Sequence, residues 1–156
     1  MSSHPVMLFG KQFSMGEAAF HYAKYYIVAN DPATDAARKK VLLTHADLFL
    51  VTGHTGPQYK SLGGKSKSGM PLTSAELQIW SRECDRVQLE ICKYKLLTYA
   101  GIKSVLMKTT GIVLIHSCRT AAEKMSSEHW CGRMTDDGKI IGDNMLGKIW
   151  MSLRDG

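Results

Sequence analysis

The sequence predicts an α+β fold, a helix-rich single domain over residues 1–156 with a few short strands. Two capping-box patterns, Ser14-x-x-Glu17 and Thr73-x-x-Glu76, each open a run of apolar residues spaced three and four apart. The brief β-branched runs are short and bounded by glycine, which suits strands of a few residues. With 44% apolar and 22% charged residues the chain is of ordinary globular composition and long enough for a sizeable core.

The first strand or hairpin is expected at Val6, Leu8 and Phe13, around a turn at Phe9-Gly10-Lys11. A helix then runs from Ser14 as N-cap to Val28. At about 100° per residue, Met15, Ala18, Ala19, Tyr22 and Tyr26 share one face. Glu17, His21 and Lys24 form a narrow stripe opposite. That stripe is either a capping glutamate with a solvated lysine, or a carboxylate and an ammonium held in line beside a pocket. Asp31-Pro32 should cap a second helix reaching about Leu43. Leu48 to Val51 fits strand or helix. Pro57 starts a short helix through Leu62, followed by a basic loop, GGKSKSG. A phosphate-binding G-x-x-x-x-G-K-S loop would need glycine at Tyr59, so that motif is rejected, although Lys65 remains able to reach a phosphate.

The longest helix is expected from Thr73 to about Tyr99, with Leu77, Trp80, Cys84, Val87, Ile91, Tyr94 and Thr98 on one face. A short helix follows over Ile102 to Lys108. GIVLIHS, from Gly111, reads as a buried strand, Asp137-Gly138 as a turn, and Asn144 as N-cap of a C-terminal helix.

The formal net charge of +6 points to anionic partners but is spread along the chain. Runs such as Ile112 to Ile115 are too short to span a membrane, and the N-terminus lacks signal-peptide features, so no membrane role and a cytoplasmic location are expected. The four cysteines are then expected to be thiols. His116-x-Cys118 and His129-x-Cys131 offer four zinc-type ligands, but their spacing matches no zinc pattern, and neither metal nor cofactor is expected.

Three blocks resemble the NADAR (YbiA-like) family, associated with NAD and ADP-ribose metabolism. They are HPVMLFGKQFSMGEAAFHYAKY with Glu17 and Lys24, then YKSLGGK, then Trp130 followed by GDNMLGKIWMSLR. In the last block Gly142, Asn144, Leu146, Gly147, Met151 and Arg154 match the family's closing motif, and Trp80 lies in a helix where the family often has Trp. The resemblance implies an N-glycosidase that cleaves a ribose–base bond, of an ADP-ribosylated guanine in nucleic acid or of a related ADP-ribose or phosphoribosyl N-glycoside. A carboxylate near the ribose C1 suits an oxocarbenium-like state. Glu17, Lys24 and His116 are the catalytic candidates. Trp130, Lys65, Gly142, Asn144 and Gly147 are the candidate ligand contacts. For Trp130 a place in the core, and for Asn144 simple helix capping, are equally good accounts.

The chain departs from the family at four places. The opening F-S-N-F-like loop is reduced to Ser2-Ser3. His116 replaces a glutamate, Ser127 an aspartate and Cys131 a glycine. A non-catalytic module that sequesters an ADP-ribose-like nucleotide is therefore the alternative. A homodimer in which another chain completes the N-terminus is also open.

Overall fold

The computed structural model describes residues 4–64 and 66–156. It is helix-rich, with short antiparallel strands, as the sequence predicts. The chain forms two compact units, one ending at Lys95 and the other Leu96–Gly156, described in turn. Among the described residues no helix is long and apolar enough to cross a membrane.

The first unit opens with a hairpin of β1 (Val6–Leu8) and β2 (Lys11–Phe13), in register Val6 to Phe13. Its two-residue turn has positive φ at both Phe9 and Gly10, the twist that matches a tight hairpin. α1 (Gly16–Ala29) follows and is the buried centre of the unit. Ala18, Ala19, Ala23, Tyr25 and Val28 are fully buried, and Tyr22 nearly so. Small residues on this helix let α2 (Ala36–Ala46), its 3-10 extension Asp47–Leu50 and α3 (Gly56–Gly63) approach closely.

Two helix starts differ from expectation. Ser14 does not cap α1: its hydroxyl bonds the Tyr59 hydroxyl at 2.9 Å, and Glu17 bonds His21 instead of a backbone N–H. Asp31 does not open α2 either. Its carboxylate accepts from the Ala33 N–H in a tight turn, and Asp35 caps the helix by accepting from Arg38 N at 2.8 Å. Aspartate can cap a turn or a helix, and here Pro32 lies in the turn.

Two predicted helices form. The short helix expected from Pro57 is α3, which begins at Gly56 behind a reciprocal Thr55–Gln58 capping box that was not expected. Thr73 and Glu76 make another at the start of α4 (Ser74–Thr98). Glu76 also takes a bidentate pair from Arg38 of α2, at 2.7 and 2.9 Å, and is 8% exposed. One carboxylate thus starts the longest helix and ties it to α2.

The second unit contains α5 (Ala100–Met107), the 3-10 turn Ala122–Ser127, a hairpin of β3 (Arg133–Met134) and β4 (Ile140–Ile141), and α6 (Met145–Asp155). Asp137-Gly138 is the hairpin turn, with positive φ at Gly138. GIVLIHS is not a buried strand. Ile112 and Val113 are 56% and 52% exposed, and no backbone ladder forms along the segment among the described residues. Its polar groups are met by a side chain instead, described below.

Glu76 yields a pH prediction. The Arg38 hydrogen bonds outweigh burial and hold its carboxyl below the ordinary 4.5. A carboxyl more acidic in the folded chain stabilises fully above 4.5 and loses that contribution as pH falls below it. Urea unfolding from pH 6 to pH 3 should therefore show a decline that Glu76→Gln flattens. An unchanged slope in the variant would contradict this role.

Candidate functional site

The predicted site residues fall in both units, and each group is described within its own. In the first unit, α1 carries the stripe Glu17, His21 and Lys24. Its i, i+4 spacing stacks His21 one turn beyond Glu17. The His21 Nε2–H donates to Glu17 Oε1 at 3.1 Å, and the glutamate side chain stays 42% exposed while the imidazole is 11% exposed. Partial burial works to raise the Glu17 carboxyl. The His21 hydrogen bond, with attraction to His21, Lys60 and Lys95, prevails and holds it below 4.5. It is an ionised, reachable carboxylate.

The other ring nitrogen, His21 Nδ1, is buried without a partner among the described residues. It faces Gly63, where a built Cβ would lie 2.1 Å from it. Only glycine leaves room for the ring. Because the carboxylate can only accept, the hydrogen bond places a ring proton on Nε2, toward Glu17. The Gly63 carbonyl in turn accepts from Lys24 Nζ. Burial lowers the Lys24 ammonium to about 8, and the charge also sits 4.9 Å from the Tyr25 ring centre. Glu17 and Lys24 are seven residues apart, about 10.5 Å along the helix axis. The stripe is therefore neither a capping pair nor a freely solvated one.

Close to these groups Lys95 extends over Gly16, where a Cβ would lie 2.8 Å from Nζ. At the end of α3 the Ser61 hydroxyl and those of Ser66 and Ser68 beyond it lie within 3.0–3.2 Å of one another. A cavity of about 290 Å³ is lined by His54, Gln58, Ser61 and Ser68 among others. Lys65, expected to serve this loop, lies outside the described residues. His21 went without a role in the sequence reading, although its spacing from Glu17 was a signal for one.

In the second unit Asn144 is 1% exposed and stands in the left-handed region at φ 49°. It occupies the N-cap position of α6, but its side chain does not cap. Its Nδ2 donates to Leu114 O and its Oδ1 accepts from His116 N, both at 2.9 Å. One amide thus does for residues 114–116 what a neighbouring strand would do. Around it, Asn144 N and Gly132 N donate to Cys131 O and His116 O. Gly142 and Gly147 sit against this frame: added Cβ atoms would lie 2.6 Å from Cys131 O and 2.4 Å from Leu114 O. His116 itself is exposed and, with Gly147 and Trp150, lines a cleft of about 230 Å³. Trp130 is half-buried and meets His129 edge-on.

The cysteine expectation is corrected in part. Cys118 and Cys131 are joined as a disulfide, and Cys84 and Cys92 are free thiols. The reason is proximity: the Asn144 frame brings the 114–118 segment and Cys131 to a Cα separation of 5.8 Å, well within bonding reach. Of the two H-x-C pairs the sulfurs meet, while His129 Nδ1 bonds Asp143 at 3.0 Å.

No family model matches the chain, and no curated protein does. A solved structure does: the NMR structure of the E. coli protein YbiA, at a TM-score of 0.57 over 98% of this chain and 72% of that one. The sequences are 19% identical, so the likeness shows a YbiA-like fold.

Two outcomes check this geometry. His21→Ala should move the Glu17 carboxyl upward in a carbon-13 NMR titration, since burial would then act with less opposition; an unmoved value would contradict the pairing. Asn144→Ala, which leaves a buried carbonyl and N–H unpaired, should cost about 2–4 kcal/mol in urea unfolding. A loss below about 0.5 kcal/mol would show that water replaces the amide.

Proposed function

We propose that the chain, read as one NADAR-like domain over residues 1–156, is an N-glycosidase acting on an ADP-ribosylated guanine or a related ADP-ribose or phosphoribosyl N-glycoside. The observation that carries this reading is the Glu17–His21–Lys24 stripe, an ionised exposed carboxylate two turns from a lysine whose ammonium loses its proton near 8. The YbiA-like fold agrees with the motif resemblance.

Cleavage of a ribose–base bond builds positive charge at C1 and negative charge on the departing base. Glu17, already ionised, stabilises the first and activates water. Lys24, charged at neutral pH but only weakly held so, supplies a proton to the second. His21 has a positioning role, fixing the Glu17 rotamer. His116, the third catalytic candidate of the resemblance, and Trp130, a candidate ligand contact, belong to the second unit. Asn144, Gly142 and Gly147 build the frame that presents His116.

A sequestering module is the second reading. It is favoured by residue identity, since exposed His116 and Ser127 stand where the family has acids. Mass-spectrometric turnover on ADP-ribosylated guanosine, NAD and a phosphoribosylamino-pyrimidine separates the two. Glu17→Gln should lower turnover at least 1,000-fold, about 4 kcal/mol of barrier, while leaving ligand affinity within a few-fold. Tight binding with no product from the wild type would instead establish sequestration. With Lys24 as acid, the rate should fall as pH rises through about 8, and a profile flat across that range would remove Lys24 from this role.

A further inference from the structure

We propose that Cys118, Cys131 and Glu128 form a redox-gated site for a thiophilic divalent cation, zinc, in the second unit. The two sulfurs and a Glu128 carboxylate oxygen all lie within 4.8 Å of one another. This set was not foreseen in the sequence, where no metal was expected and only the two histidines were weighed as companions of the sulfurs.

Three features distinguish the cluster from a plain disulfide. The first is electrostatic. Two thiolates and a carboxylate gathered in one place are three negative groups that a divalent cation compensates together. A disulfide carries no charge and gains nothing from the carboxylate. The second is support. Cys131 is 6% exposed, and its carbonyl accepts from Asn144 N at 2.9 Å. Glu128 is fixed on both sides, its N–H donating to Met125 O at 3.0 Å and its carbonyl accepting from Asp143 N at 2.8 Å. The third is the surrounding shell: Thr120 Oγ1 lies 3.0 Å from Cys118 Sγ, placed to hydrogen-bond a thiolate.

Geometry permits both states on one backbone. Zinc–sulfur bonds of about 2.3 Å at tetrahedral angles put two thiolates about 3.8 Å apart, a separation that rotation about the cysteine χ1 angles supplies. In the oxidised chain both sulfurs are spent on each other. A dithiol reductant gives its two hydrogens and two electrons to the S–S bond and closes into its own disulfide, leaving two thiols on the protein. Zinc then displaces two protons and takes two thiolates and one carboxylate oxygen, with water in the fourth position.

The test uses the full chain. Protein is reduced with a dithiol, freed of it by anaerobic gel filtration, mixed with zinc chloride, filtered again and analysed for metal. Reduced wild type should retain one zinc per chain and the oxidised form none. Cys118→Ser and Cys131→Ser should lose it, Glu128→Gln should weaken retention at least tenfold, and Cys84→Ser and Cys92→Ser should keep it. Cobalt(II) added to reduced, folded wild type should give a thiolate-to-metal charge-transfer band, which needs no variant to fold. Reduced wild type without retained zinc or a cobalt band, or Cys118→Ser binding as well as wild type, would overturn the proposal and leave a simple disulfide.

Discussion

The first unit depends on the contact between the His21 ring and Gly63. A ring and a backbone meet where any other residue would put a Cβ 2.1 Å from a ring nitrogen. This close approach seats α1 against the end of α3. It points one imidazole nitrogen at Glu17 and leaves the Gly63 carbonyl for Lys24. A single steric condition therefore sets the orientation of the carboxylate and the solvation of the ammonium. The electrostatics follow from it. Glu17 is kept ionised by the His21 hydrogen bond and nearby cationic groups despite crowding, while burial makes Lys24 give up its proton more readily than a surface lysine.

The second unit meets a similar need by a different device. Residues 114–116 join no backbone ladder among the described residues, and the Asn144 amide supplies both a donor and an acceptor to them. Holding asparagine in the left-handed region is tolerable because its short polar side chain suits that conformation. Gly142 and Gly147 leave the space this requires. The closing motif is thus explained as a packing frame whose exposed product is the His116 side of a cleft.

Much of this was legible in the sequence where local chemistry decides. The Thr73/Glu76 box, the Pro57 helix and the Asp137-Gly138 turn need only neighbours along the chain. Ser14 and Asp31 do not cap, and Asn144 stands at its N-cap position with its side chain turned elsewhere, because a short polar side chain serves a cap, a turn or a distant partner equally well and the choice rests on tertiary contacts such as Tyr59 for Ser14. GIVLIHS looked like a buried strand from composition, yet what satisfies it lies some thirty residues further on. The stripe itself was visible from helical spacing. The role of His21 was not, since it depends on an absent side chain at Gly63. The joining of Cys118 and Cys131 likewise needed the fold that brings them together.

The central claim is hydrolysis of a ribose–nitrogen bond at Glu17. Its most direct test is turnover of ADP-ribosylated guanosine in oxygen-18 water, with the released sugar analysed by mass spectrometry. The account predicts one labelled oxygen, at ribose C1, and free unlabelled guanine base or nucleoside. Product lacking the label would contradict attack by water at C1, and no product with intact binding would make this a protein that holds its nucleotide without cleaving it.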